Sequence, residues 1–375
     1  MMKVALCIDI KQFHEDRLRD RAWSRQFPGS AWMTSLYERQ EEFGIEVASG
    51  DVALQRVQTG QWRANEVHIV QEMSAWHGAE LCRRGAVAGI LTMLESPLVA
   101  FRQVDHLIRS RQEFRHCIGP GEIFRRSKSL RPSHHWRLAF PSYWRGSASQ
   151  SVPWSVRSGA VLVAANKYWR ECGWSRRRTF KERLRMVRHR FRRSLSPTFQ
   201  STRHLQLHDA RLELLEMLGA KGMVDVFGRG WDDLSNLPTE RARQLYEMRS
   251  ALHGSCDDKH NTLRRYRFTI AYENLAFPGY VTEKLIDGLV SGTVPVYWGA
   301  PDIAQHVPPE ACVNAVDCGS TRSIVDRMEH MPESEWSSIV DAGQEFLASR
   351  RGQRHTYEGF AEWIVEMLHG RAEDE

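Results

Sequence analysis

An acid and a base stand side by side at Glu283-Lys284, where a helix is expected to begin. Upstream, an alternating apolar run from Phe268 to Tyr272 reads as a strand and ends at Glu273-Asn274. A loop with Pro278, Gly279 and Tyr280 follows. Thr282 stands where a helix N-cap belongs, ahead of the apolar spacing Leu285, Ile286 and Leu289. Gly292 stops that helix, and Thr293 to Trp298 reads as the next strand. Strand, loop, helix and strand make one unit of a parallel α/β sheet. Such sheets bind ligands at the carboxyl ends of their strands, beside helix N-termini. The rim here offers an acid (Glu283), a base (Lys284), an amide (Asn274) and a phenol (Tyr280). A helix start that carries a lysine suits a phosphate or diphosphate guest.

The array Tyr266-Arg267-Phe268, Tyr272-Glu273-Asn274, Tyr280-x-Thr282-Glu283-Lys284 and Val294-Pro295-Val296-Tyr297-Trp298-Gly299 resembles the donor-binding motif of the inverting α1,3/α1,4-fucosyltransferases, glycosyltransferase family 10. Weaker matches extend the resemblance. Val224 to Gly228 is similar to a family strand, and Arg211, on the helical pattern Leu212, Leu215 and Leu218, falls where the family has a phosphate-binding arginine. Val163 to Asn166, Leu138 to Trp144 and Met93-Leu94-Glu95-Ser96-Pro97 resemble further segments, with Asp105 expected in a strand after the last of these. The resemblance implies an α/β fold of GT-B architecture, two Rossmann-like domains facing across a cleft. It implies GDP-fucose as donor substrate and a glycan as acceptor, with Arg211, Asn274, Tyr280, Glu283 and Lys284 binding the donor.

A GDP-sugar leaves as a diphosphate that gathers negative charge, so it needs a divalent cation or fixed cations and helix dipoles. No aspartate-rich metal motif appears at a strand end. Asp257-Asp258 follows a Gly-Ser-Cys turn and is a poor candidate, and His134-His135 has no partner at ligand spacing. No metal site and no required cofactor are therefore expected, with stimulation by a divalent metal left open. Inversion by direct attack needs one general base on the acceptor side. Glu95 is expected in that role from the acceptor-domain motif. Some bacterial relatives carry a carboxylate two positions earlier, where this chain has Met93. Gly228-Arg229-Gly230 reads as a tight turn rather than a phosphate loop. Two alternatives stay open: another nucleotide sugar on the same scaffold, and a catalytically inactive relative that binds membrane or nucleic acid.

A chain of 375 residues with 42% hydrophobic content and 13 tryptophans can fill two cores. The expected division is 1–152 for acceptor binding, 153–345 for donor binding and 346–375 for a terminal helix with Tyr357, Phe360, Ile364, Met367 and Leu368 on one face. Further strands are expected at Val4 to Ile10, Val67 to Gln71, Ala88 to Met93, Ala160 to Ala165 and Met223 to Phe227. No run of 18 apolar residues exists, and Met1 to Ile10 reads as a first strand rather than a signal peptide. The seven cysteines have no CxxC or zinc spacing, so reduced thiols and a cytoplasmic setting are expected.

From Arg176 to Arg193, nine Arg, one Lys and one Glu carry +9, whereas the whole chain is +6, so the remainder is −3. Phe180, Leu184, Val187, Phe191 and Leu195 recur at helical spacing within a basic helical insertion over 174–197. Such a helix suits an anionic membrane surface or a lipid-linked acceptor, which would place the protein at the inner face of a membrane. It equally suits packing of the stripe on the donor domain with the arginines solvated. No nucleic-acid partner is expected.

Overall fold

The computed structural model describes residues 1–109, 113–124, 126, 152–166, 180–232, 234, 237 and 239–371. Leu138 to Trp144, His134-His135 and the first part of the basic insertion, up to residue 179, lie outside these residues. The chain divides into two compact units, one of Met1–Glu95, Ala100–Gly146 and Arg350–Glu375, the other of Ser96–Val99 and Ser147–Ser349.

The first unit is built on a parallel sheet of β1 (Met2–Cys7), β2 (Ile45–Ser49), β3 (Val67–Glu72), β4 (Val87–Thr92) and β5 (His116–Ile118), in the order β2-β1-β3-β4-β5. Parallel strands covered on both faces need nearly continuous apolar character. Val4 to Cys7 and Ile90 to Met93 supply it, all buried. Pairing of Glu72 with Thr92 brings the ends of β3 and β4 level, so that Met93, Leu94 and Glu95 leave from the carboxyl edge of the sheet. The helix Tyr357–Leu368 buries Tyr357, Phe360, Ile364, Met367 and Leu368 and packs on the helix Ala31–Glu38, with the Trp32 and Phe360 rings 5.1 Å apart.

Asp105 is not in a strand. It lies in the helix Phe101–Arg109, which buries Phe101, Val104, Asp105 and Leu107. The three- and four-residue spacing of those apolar positions dictates a helix and outweighs the strand expected there.

The second unit repeats the plan with β6 (Ser158–Val163), β7 (Val224–Phe227), β8 (Tyr266–Tyr272), β9 (Val294–Trp298) and β10 (Val313–Asn314), all parallel, in the order β10-β9-β8-β6-β7. Leu162, Val226, Phe268, Ile270, Val294 and Val296 form its core with Leu212, Leu215 and Leu218 of the helix His208–Ala220. Counted along the chain, both units have strand order 2-1-3-4-5. The order reverses between β1 and β3 in one unit and between β6 and β8 in the other, and in open parallel sheets the carboxyl ends at such a reversal are where ligands bind. Gly228-Arg229-Gly230 is a turn folded against the end of β6. Gly228 has φ +140°, and a Cβ on it would lie 2.2 Å from the Ala164 carbonyl oxygen. Asn166 donates through its side chain to Gly230 O (3.1 Å), which completes the closure.

The described part of the basic insertion is the helix Phe180–Ser194. Leu184, Val187, Phe191 and Leu195 are between 52% and 66% exposed, so the described stripe is not packed into the second unit. No described helix is long and apolar enough to cross a membrane.

Candidate donor site

Glu273 follows β8 directly and is fully buried. Its Oε1 accepts from the Thr282 amide (2.6 Å), and its Oε2 accepts from the Thr282 hydroxyl (2.7 Å) and from Lys284 Nζ (3.1 Å). Thr282 precedes the helix Glu283–Val290 at the N-cap position, yet its side chain caps nothing. The hydroxyl that a capping threonine would turn to the first-turn amides is committed to Glu273 instead, and it also accepts from Lys284 Nζ at 2.7 Å. The helix therefore begins with its positive dipole end uncapped by Thr282 and with an ammonium fixed beside it.

Burial favours the neutral form of Lys284. The Glu273 and Glu283 carboxylates more than offset it, so its pKa stands above the ordinary lysine value. Glu273 is raised by its burial, with Glu283 adding to the effect and Lys284 and the Thr282 donors opposing it. Burial also pushes Glu283 up, but Lys284 and Lys259 outweigh it and hold this carboxyl below the usual range. One turn along, Asp287 is buried against Lys259 and His260 (Nε2 to Oδ1, 3.1 Å), which together overcome its desolvation and keep it ionised.

Arg211 enters from the helix His208–Ala220 and is 4% exposed. Its Nη2 donates to the carbonyls of Tyr272 (2.7 Å) and Glu273 (2.9 Å) and reaches Asn274 Oδ1 at 3.4 Å. The guanidinium thus grips the carboxyl end of β8, and its charge acts on Lys284. Tyr280 is buried in the loop between β8 and the helix, its amide on Phe277 O (3.0 Å). Asp302 holds the same loop by accepting from the Gly279 amide (2.9 Å). Arg211, Asn274, Glu283 and Lys284 therefore gather at one strand end, at the order reversal between β6 and β8. Among the described residues no group of three or more His, Cys, Asp or Glu could hold a metal ion.

Glu95 belongs to the first unit, exposed, just past the end of β4. Sequence reasoning assigned no role to Glu72 at the end of β3. Its Oε1 accepts from the Leu94 amide (3.1 Å), and its Oε2 is hydrogen-bonded to the Thr92 hydroxyl. Burial and then the nearby Glu95 charge raise its pKa to about 7, against the pull of Thr92 and the Leu94 amide. Glu273 likewise went unassigned. Its signal was a carboxylate at the end of an otherwise apolar strand, which burial permits only when it is paired.

Removing Glu273 leaves the Lys284 ammonium deprived of its buried counter-ion. Glu273→Ala is expected to lower unfolding free energy by about 3–5 kcal/mol, read from denaturant midpoints. The double variant Glu273→Gln/Lys284→Met is expected to recover most of that loss. Equal stability of Glu273→Ala and the parent would remove the pair from the structural account.

Residues 196–337 match the sequence model of glycosyltransferase family 10 (fucosyltransferase) C-term. The chain is 34% identical over 84 residues to alpha-(1,3)-fucosyltransferase FucT of Helicobacter pylori, a stretch covering 22% of this chain and 18% of that protein. It is 32% identical over 114 residues to an alpha-(1,4)-fucosyltransferase of Arabidopsis thaliana, over 28% of each. The matched stretches thus span less than a third of either relative. Among solved structures, Anabaena Alr3699/HepE in complex with UDP-glucose aligns over 99% of this chain and 100% of that one, with a TM-score of 0.52 and 9% identity. That likeness shows the fold, two parallel α/β units of the GT-B class. The match to the glycosyltransferase family 10 (fucosyltransferase) C-term model thus covers residues 196–337, the part of the second unit that holds Arg211, Asn274, Tyr280, Glu283 and Lys284.

Proposed function

We propose that the protein is an inverting glycosyltransferase that moves L-fucose from GDP-fucose to a hydroxyl of a glycan acceptor in α1,3 or α1,4 linkage. The observation that carries this reading is the seating of two cations, Lys284 and Arg211, at one strand end beside the start of the helix Glu283–Val290. Fixed cations and helix amides can take up the charge that builds on a departing diphosphate without a metal. Glu283, with a side chain 42% exposed and an anionic carboxyl, is suited to hold ribose or sugar hydroxyls. Asn274 and Tyr280 complete the donor contacts, and Glu95 takes the proton of the attacking hydroxyl. No cofactor is required.

The exposed stripe Leu184, Val187, Phe191 and Leu195, with Arg188, Arg190 and Arg192 exposed on the same helix, supports a second assignment. We assign this helix to an anionic membrane surface, its apolar residues at headgroup level and its arginines on lipid phosphates. Each basic residue contributes about 1 kcal/mol near such a surface, and salt screens it. The protein would then work at the cytoplasmic face of a membrane.

A ligand that binds only the native state raises the melting temperature. GDP and GDP-fucose are expected to do so, UDP-sugars are not, and Lys284→Ala is expected to lose most of the shift. No shift with millimolar GDP, or an unchanged shift in Lys284→Ala, sinks the donor assignment.

Glu95→Gln is expected to keep the GDP shift while kcat falls by roughly 10²–10⁴-fold. An unchanged kcat moves the base to another carboxylate of the first unit.

The full chain is expected to pellet with phosphatidylserine vesicles at low salt. Changing Arg188, Arg190, Arg192 and two neighbouring arginines to Gln should abolish this and leave the GDP shift intact. Wild-type protein that stays in the supernatant rules the membrane assignment out.

A further inference from the structure

We propose that Glu72 is a positioning residue that seats Glu95 for proton abstraction by clasping the end of β4. The inference rests on the transferase reading above, which gives Glu95 its task, but its geometry belongs to the first unit alone.

Glu72 is the last residue of β3, directly opposite Thr92, the last residue of β4. Beyond Thr92 the two chains no longer share a ladder, and only three residues later the chain reaches Glu95. Glu72 bridges this gap. Its Oε1 takes the Leu94 amide at 3.1 Å, and its Oε2 bonds the Thr92 hydroxyl. Two backbone bonds complete the frame: the Met73 amide donates to Thr92 O (2.8 Å), and the Met93 amide donates to Ile118 O (2.7 Å). Glu95 thus follows a segment whose preceding residue, Leu94, is held by a side chain of the neighbouring strand. The place in the fold is also telling, since β3 flanks the order reversal between β1 and β3, the position at which parallel sheets of this kind bind their ligands.

The hydrogen bonds can all be satisfied with Glu72 protonated. The acid then donates from Oε2 to Thr92 Oγ1, Thr92 donates to Gln71 O (3.3 Å), and Oε1 still accepts from Leu94. Thr92, the Leu94 amide and Glu95 are the groups that act on the carboxyl. The first two favour its charge, whereas burial and Glu95 oppose it and prevail, bringing it to about 7. In its protonated form Glu72 spares Glu95 a second negative charge at close range while it holds the backbone of the preceding residue, Leu94. The amide of glutamine reproduces that arrangement, donating to Thr92 and accepting from Leu94; alanine removes it.

The test compares Glu72→Ala and Glu72→Gln with the full-length parent in GDP-fucose turnover, GDP thermal shift, amide exchange of the peptide spanning residues 92–96, and melting from pH 5 to 8. Glu72→Ala should lose about tenfold or more in kcat, as expected when a reacting group is displaced by about 1 Å. Its KM for GDP-fucose and its GDP shift should stay at parent values, and exchange at 92–96 should quicken. Glu72→Gln should restore kcat to within about twofold and restore slow exchange, because it keeps both hydrogen bonds. The folded pKa lies above the usual 4.5, so the native state holds this proton longer than the unfolded chain. Stability from this group is therefore full below about 4.5 and lost as pH rises through about 7. The melting temperature of Glu72→Gln should accordingly gain on the parent between pH 5 and 8. Parental kcat or parental exchange in Glu72→Ala overturns the positioning role. A Glu72→Gln variant as inactive as Glu95→Gln overturns it in favour of Glu72 as the base, and parallel melting curves overturn the neutral acid. Parent protein without fucose transfer or GDP shift defeats the transferase reading instead, while the exchange data still decide the clasp.

Discussion

The second unit is organised around one expensive group, the fully buried carboxylate of Glu273. Taking such a group out of water costs several kcal/mol unless it meets charge and hydrogen-bond donors. It meets an amide, a hydroxyl and an ammonium, all from two residues, Thr282 and Lys284. The motif spacing follows from this need. Thr282 must give both its N–H and its O–H, so it cannot cap the helix it precedes, and Lys284 must fold back rather than reach outward. The end of β9 obeys the same constraint. A Cβ on Gly299 would fall 2.5 Å from Glu273 Cγ and 2.3 Å from the Tyr297 hydroxyl, which itself accepts from the Ala300 amide (2.8 Å). Glycine stands at 299 because the carboxylate and the phenol leave no room for anything larger.

The two units share a strand order and end their third strand in the same way. β3 finishes in Glu72, and β8 runs straight into Glu273. Each carboxyl accepts a backbone amide from a segment that leads into proposed site residues, Leu94 before Glu95 and Thr282 before Glu283-Lys284. Their electrostatic partners are opposite. Glu273 faces an ammonium, and Glu72 faces another carboxylate, which with burial lifts it toward neutrality. One structural device therefore holds a cation in one unit and, in the other, the backbone that leads into a carboxylate. The side chain that does the fixing is in both cases a residue that never needs to touch a substrate.

Such residues are the hardest to read from sequence. Glu283 and Lys284 stand out because they begin a helix whose apolar spacing is plain, whereas Arg211 is singled out only by the family resemblance; the structure brings its guanidinium to Asn274 at the end of β8. Glu72 becomes meaningful only through the register that sets it against Thr92, twenty positions away, and no periodicity carries that information. Short strands were lost for a related reason. His116–Ile118 and Val313–Asn314 are two or three residues long, too brief for a period of two to show, although each closes an edge of its sheet. Asp105 was a different kind of miss. Its neighbours Phe101, Val104 and Leu107 carry a helical spacing that is at odds with the strand expected there.

Charge is partitioned as firmly as packing. The donor site balances itself, with Lys284 against Glu273 and Glu283, and Asp287 against Lys259 and His260. A self-balanced site holds its cations in place by short hydrogen bonds rather than by the field of the whole protein, so salt screens it weakly. The segment Arg176 to Arg193 is the opposite case, +9 on a chain that is −3 elsewhere, with Arg188, Arg190 and Arg192 exposed to solvent and its ions. Any work done by that segment must therefore fall steeply with ionic strength. Work done by the Glu273-Lys284 pair must not, because its geometry is set by burial. The basic pI of about 9.0 is accordingly a property of one helix and its neighbourhood, and it says nothing about the chemistry at the end of β8.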